Sequence, residues 1–196
     1  WGCNAEFAKI PMMRRTIACY LVPAVIAMAG AIAPTPARSV EFEARAVDES
    51  RFVLVAATRN LNDHQFIILE QISDQQACWM ESGEAPTAVD PLLLNFDFTG
   101  ICGRSIDSNG YSIRVDGRDL ALDYSLRVVR QGNQLILVAG SNNDFGADLI
   151  PLGRSYGISP SGYTKIQLDP GWRLARRTYQ DTLLGHIYIT TDEITN

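Results

Sequence analysis

Leu120, Leu122, Tyr124, Leu126 and Val128 alternate with Ala121, Asp123, Ser125 and Arg127. A hydrophobic period of two, rather than 3.6, marks a strand with one face in a core. Tyr111, Ile113 and Val115 alternate with Ser112, Arg114 and Asp116 in the same way. Other apolar runs are short and unbroken: Phe52 to Ala57, Phe66 to Leu69 and Leu135 to Ala139. Runs of that kind suit central strands covered on both faces. The pattern predicts strands at Phe52–Ala57, Gln65–Ile72, Tyr111–Val115, Leu120–Val129, Gln134–Ala139, Tyr163–Leu168 and Gly185–Thr190.

Turn chemistry separates the runs. Asp116-Gly117 is a strong two-residue hairpin signal. Ser108-Asn109-Gly110, Gln131-Gly132-Asn133 and Asp169-Pro170-Gly171 mark further turns. The one helical signal is Asp90-Pro91-Leu92-Leu93-Leu94, with Asp90 as cap and Pro91 at the first position, good for a turn or two. About nine or ten short strands divided by Gly and Pro predict an all-β fold, an antiparallel sandwich or barrel of hairpin-connected strands.

The beginning of the chain reads differently. Arg14 and Arg15 precede the uncharged stretch Ile17 to Ala33, and small residues follow at Thr35 and Ala37. That order predicts a signal peptide over 12–39, cut after Ala37 or Ser39. A permanent anchor needs about 20 apolar residues, and Pro23 interrupts this shorter run. Cys19 stands at the start of the run, where a lipoprotein cysteine would follow it. Residues 1–11, which precede Met12 and Met13, are expected to fall outside the native fold. The mature part, 40–196, is expected to be one β domain, periplasmic or extracellular, with membrane contact only through an uncleaved leader.

Charge narrows the partners. From Val40 onward there are 13 Lys and Arg against 21 Asp and Glu, a net charge near −8. Such a surface repels phosphate backbones, which excludes nucleic acid as a partner. The one basic cluster, Arg173, Arg176 and Arg177, is expected to form ion pairs on a solvated strand face. No cofactor motif, phosphate loop or nucleophile elbow is present.

Two cysteines remain after the leader, Cys78 and Cys102. In an oxidising compartment the expected state is a disulfide. A bridge would hold Trp79, Asp97 and Arg104 close together, since all three lie within five residues of a cysteine. These three are the candidate ligand-binding residues, with Trp79 as simple core the competing reading. No residue is assigned a catalytic role. The enzyme alternative is an extracytoplasmic hydrolase using Cys78 with His186, or carboxylates such as Asp97 and Asp107. Gln75-Gln76-Ala77-Cys78-Trp79 superficially resembles the cysteine motif of papain-like enzymes. However, Gly83 and Pro86 follow, where a helix should lower the thiol pKa. Asp97, between Phe96 and Phe98, serves as a general acid only if it is buried and its pKa raised.

Ser105, Asp107 and Asn109 supply oxygens at the first, third and fifth places of a calcium-like loop, with Gly110 sixth and Asp116 twelfth. The loop lacks flanking helices, and an Asn-Gly turn is the preferred reading. His64 and His186 are the two histidines, without zinc spacing. Alternation puts His186 on the face of Tyr188, toward solvent or an interface.

Several stretches also resemble a known family. They are Ile68 to Ile72 through Cys78-Trp79, Leu93 to Ser105, Asp107 to Tyr111, Asp169 to Leu174 and Leu184 to Tyr188. Together they span about Arg51 to Asp192 and are similar to exported, mostly cyanobacterial proteins that share a domain of unknown function. The resemblance implies export and a common fold. It brings no catalytic residue, so a non-enzymatic binding or structural module of the cell envelope, meeting a glycan, a wall component or another protein, is the expected role.

Overall fold

The structure, a computed structural model, describes residues 42–194. The leader, its cleavage position and residues 1–11 lie outside the described residues. Fourteen strands follow in order. They are β1 (Glu43–Ala46), β2 (Phe52–Asn60), β3 (Asp63–Gln71), β4 (Met80–Ser82), β5 (Ala88–Asp90), β6 (Cys102–Ser105) and β7 (Tyr111–Val115). Then come β8 (Arg118–Asp119), β9 (Tyr124–Gln131), β10 (Gln134–Ser141), β11 (Ile150–Arg154), β12 (Tyr163–Leu168), β13 (Arg173–Tyr179) and β14 (Thr182–Thr191). The expected all-β class holds.

Two sheets face each other. One has the order β1-β13-β14-β7-β8, and the other runs β6-β3-β2-β12-β11-β10-β9, with β5 and β4 attached beside β12. Every pairing is antiparallel except β7 with β14, which is parallel.

The alternation explains the layers. Phe52, Leu54 and Ala56 of β2 meet Ile113, Leu137, Ile187 and Ile189 in the core between the sheets. Val53 and Val55, on the other face of β2, enter a second cluster with Leu69, Val89, Leu93 and the two cysteines. The unbroken apolar run of β2 is therefore a strand buried on both sides, as its composition required. Truncating such a side chain costs about 2–5 kcal/mol.

The Asp116-Gly117 hairpin forms as expected, both residues at positive φ, 47° and 69°. Its partner strand does not. Only Arg118–Asp119 pairs with β7. Leu120 to Asp123 then turn, with Asp119 Oδ1 accepting from the Ala121 N–H at 3.0 Å. Leu122 is 89% exposed. The strand expected at Leu120–Val129 instead begins at Tyr124 and runs to Gln131, in the other sheet. The apolar period continued through a sheet-to-sheet crossing because Leu120 still packs on the core. At the other sequence signal, Asp90 ends β5 and Pro91 caps a single 3-10 turn, Leu92–Asn95.

Candidate functional site

The outer face of the nine-stranded sheet carries the second cluster, and the bridge lies in it. Cys78 and Cys102 are joined as the sequence led us to expect. Cys102 opens β6 opposite Gln71. The Gln71 side chain stitches the approach to Cys78: its Oε1 accepts from the Cys78 N–H at 2.9 Å, and its Nε2 donates to the carbonyls of Ser73 and Gln76. Val89 and Leu93 of the bridged segment pack with the cysteines against Val53, Val55 and Leu69, while β5 pairs with β12.

The three candidate ligand residues take different positions. Trp79 is half-buried against the cluster, and its Nε1–H donates to Glu81 Oε1 at 3.2 Å. Asp97 is exposed, with Phe96 and Phe98 turned inward. Its Oδ1 accepts from the Thr99 hydroxyl and N–H, which hold the carboxyl below the usual range. That is the opposite of what a general acid needs. Arg104 is exposed on β6, opposite Leu69, with its guanidinium 5.7 Å from the Phe98 ring centre. Of the three, Arg104 lines two of the cavities described next.

Two cavities meet at Arg104. The first, about 300 Å³, has an apolar floor of Val55, Ile67 and Leu69, with Leu94, Ile106 and Tyr163 around it. The second, about 520 Å³, is polar and is lined by Arg104, Asn109, Arg177 and His186 among others. Arg104 and Ile106 line both. A third, of about 410 Å³, shares Pro91, Leu94 and Tyr163 with the first.

Behind the polar cavity lies a network whose pairing the sequence did not reveal. The parallel register sets Ser112 of β7 beside Tyr188 of β14, one step from His186. His186 Nδ1 lies 2.8 Å from the Asn109 carbonyl, an acceptor only, so Nδ1 carries the proton. Nε2, 2.8 Å from Ser112 Oγ, then accepts the hydroxyl proton while the ring is neutral. Burial pushes His186 below its ordinary pKa. The Arg177 charge adds to this, while the Asn109 bond and Asp119 oppose it. Asp119 accepts from the Tyr188 hydroxyl at 2.8 Å and pairs with Arg177. Burial raises the Asp119 pKa, but Tyr188, the Ala121 N–H and Arg177 together hold it below the carboxylate range. Arg177 also donates to the Tyr188 oxygen through Nε.

Two expectations change here, and the thiol alternative closes. His186 is on the face of Tyr188 but buried, not turned to solvent. The basic cluster does form ion pairs, Arg173 with Asp192, Arg176 with Glu70 and Arg177 with Asp119. Only the first is solvated: the side chain of Arg173 is 46% exposed, against 17% and 16% for the other two. Cys78, in the bridge, has no thiol to act with His186.

The calcium-like spacing resolves into a turn. Asp107 Oδ1 accepts from the Asn109 N–H at 2.9 Å, and the Asp107 carbonyl from Gly110. The extended strand β7 then separates that turn from Asp116 by roughly 16 Å, at the usual rise per residue. Ser105 is in β6. Asp107 and Asp116 therefore do not converge, and no group of three or more His, Cys, Asp or Glu among the described residues could hold a metal. His64 is buried, its Nδ1 3.1 Å from Thr58 Oγ1, and burial lowers its pKa.

No curated protein and no solved structure matches the chain. The family described as "Protein of unknown function (DUF3747)" matches residues 20–194, nearly its full length, and the chain belongs to that family.

Proposed function

We propose that this protein is an exported module of the cell envelope or extracellular space that binds a ligand without transforming it. The observation that carries the reading is the Cys78–Cys102 bridge and what it braces. The bridged segment contributes Pro91 and Leu94 to the walls of the apolar cavities on the outer face. A disulfide persists in an oxidising compartment, and concave, largely apolar sites with a few polar groups are where small ligands bind. The charge near −8 of residues 40–196 accords with a partner other than nucleic acid.

The test is to express the full chain with its leader in an exporting host and locate it by fractionation. The recovered protein is then screened against glycans and envelope extracts. The reading expects recovery outside the cytoplasm and saturable binding. Retention in the cytoplasm with both cysteines reduced contradicts it.

The hydrolase reading now rests on one contact, Ser112 Oγ to His186 Nε2. Ser112 is buried at mid-strand, 4% exposed. A serine nucleophile must reach its substrate, so a fluorophosphonate probe is expected to leave Ser112 unlabelled. Stoichiometric labelling would restore an enzymatic function.

A further inference from the structure

The apolar cavity and the polar cavity differ in character, yet they share a threshold made of Arg104 and Ile106. On one side lie the methyl groups of Val55, Ile67 and Leu69. On the other lie Arg177, His186 and backbone at Asn109 and Gly110, with Asp107 the one carboxylate. The Arg104 side chain makes neither an ion pair nor a hydrogen bond among the described residues. The Phe98 ring centre lies 5.7 Å from its guanidinium, a cation–π contact that leaves the N–H donors without partners among the described residues.

The other arginine at the apolar cavity is already engaged. Arg59 donates to Gln65 Oε1 at 2.6 Å, and Gln65 Nε2 donates to the Ile106 carbonyl. Gln65 and Leu69, the residue facing Arg104, are four places apart on β3, roughly 13 Å at the usual strand rise. With Arg59 engaged by Gln65, Arg104 is the arginine at this cavity whose side chain has no hydrogen-bond partner among the described residues. The free donors of Arg104 form the fork that matches a carboxylate or phosphate.

We propose that these two cavities together bind a single-chain amphiphilic anion. Its carboxylate or phosphate lies on Arg104 at the edge of the polar cavity, and its apolar chain lies over Ile67 and Val55 beneath Leu94. The apolar cavity's 300 Å³ has room for about ten methylene-sized groups, taking about 30 Å³ for each as for a liquid water. This inference rests on the binding-module reading and names the ligand class for it.

The experiment is calorimetric titration of the full chain, made under oxidising conditions, with decanoate, decyl phosphate, decanol and acetate, all below micelle-forming concentrations. Saturable one-to-one binding of decanoate or decyl phosphate is expected, at least tenfold tighter than decanol and acetate. Arg104→Gln, at an exposed position and with its fold checked by circular dichroism, is expected to erase the preference for the anion over decanol. Arg59→Gln is expected to keep it. Ile67→Gln is expected to weaken all chain-bearing ligands alike. Equal binding of decanol, equal binding of acetate, or an anion preference that survives Arg104→Gln overturns the proposal. So does binding seen only to anionic vesicles, which would mean a membrane surface. If an envelope extract binds and decanoate does not compete, this ligand class is wrong but the binding-module reading stands. If nothing binds and the protein stays in the cytoplasm, both fall.

Discussion

His186 shows how much of the site depends on a proton. In the neutral ring, Nδ1 donates to Asn109 and Nε2 accepts from Ser112, so the buried ring is fully satisfied. Its folded pKa lies below the ordinary value of 6.5. The stabilisation is therefore complete above that value. It falls as the pH drops toward the folded pKa, because the unfolded chain takes up the proton first. Unfolding midpoints in urea are expected to decline from about pH 7 to about pH 5, and His186→Gln is expected to flatten that decline in part. His64, also depressed, supplies the remainder. A midpoint independent of pH over that range would contradict the lowered pKa of the buried ring. The Tyr188 hydroxyl joins Asp119 and Arg177 at a position closed to solvent. Tyr188→Phe is expected to lower stability by about 1–3 kcal/mol, the cost of leaving buried partners short of a bond. Sequence reading placed His186 and Tyr188 on one face but could not find Ser112 or Asp119. Ser112 lies 74 residues from His186, and the parallel register of β7 on β14 is what brings them together. Strand alternation carries no information on which strands become neighbours.

Among the elements, the outcome turned on how each turn is made. Asp116-Gly117 was legible because its second residue is glycine at φ 69°. The β13–β14 turn was not, because Gln180 and Asp181 take φ 47° and 64° without a glycine to announce them. β14 therefore starts at Thr182, three residues before the strand expected at Gly185. Left-handed backbone at a non-glycine residue costs roughly 1 kcal/mol. Asp181→Gly is thus expected to stabilise the protein by about 0.5–1 kcal/mol, read as a higher urea midpoint. Gly117→Ala is expected to destabilise it by a similar amount. A loss of stability in Asp181→Gly would mean that its side chain does more than fill a turn. The mistaken strand at Leu120 has the complementary cause: Asp119 caps a turn through Ala121, and two leucines kept the period of two across it.

At the scale of the molecule, the described residues hold one core between two sheets and a second cluster outside them, tied by the bridge. The class, most of the strands and the bridge were legible because each is written locally, in alternation, turn residues and two remaining cysteines. The cavities were not, because they arise where Leu94, Ile106 and Tyr163 converge from three separate elements. Of the three candidate ligand residues, Arg104 reaches these cavities, and it was found through its nearness to Cys102. Closing 24 residues of sequence separation stabilises by about 3.5 kcal/mol in the chain-entropy account. Reduction is therefore expected to lower the melting temperature by roughly 7–14 °C. It should also weaken binding in the cavities, whose walls the bridged segment supplies. The most direct measurement is thiol alkylation of protein isolated from its native host under denaturing, non-reducing conditions, with the modified positions mapped by peptide mass. The account predicts that Cys78 and Cys102 stay unmodified until a reductant is added and are then recovered from one linked peptide pair. Alkylation of either cysteine before reduction would contradict it.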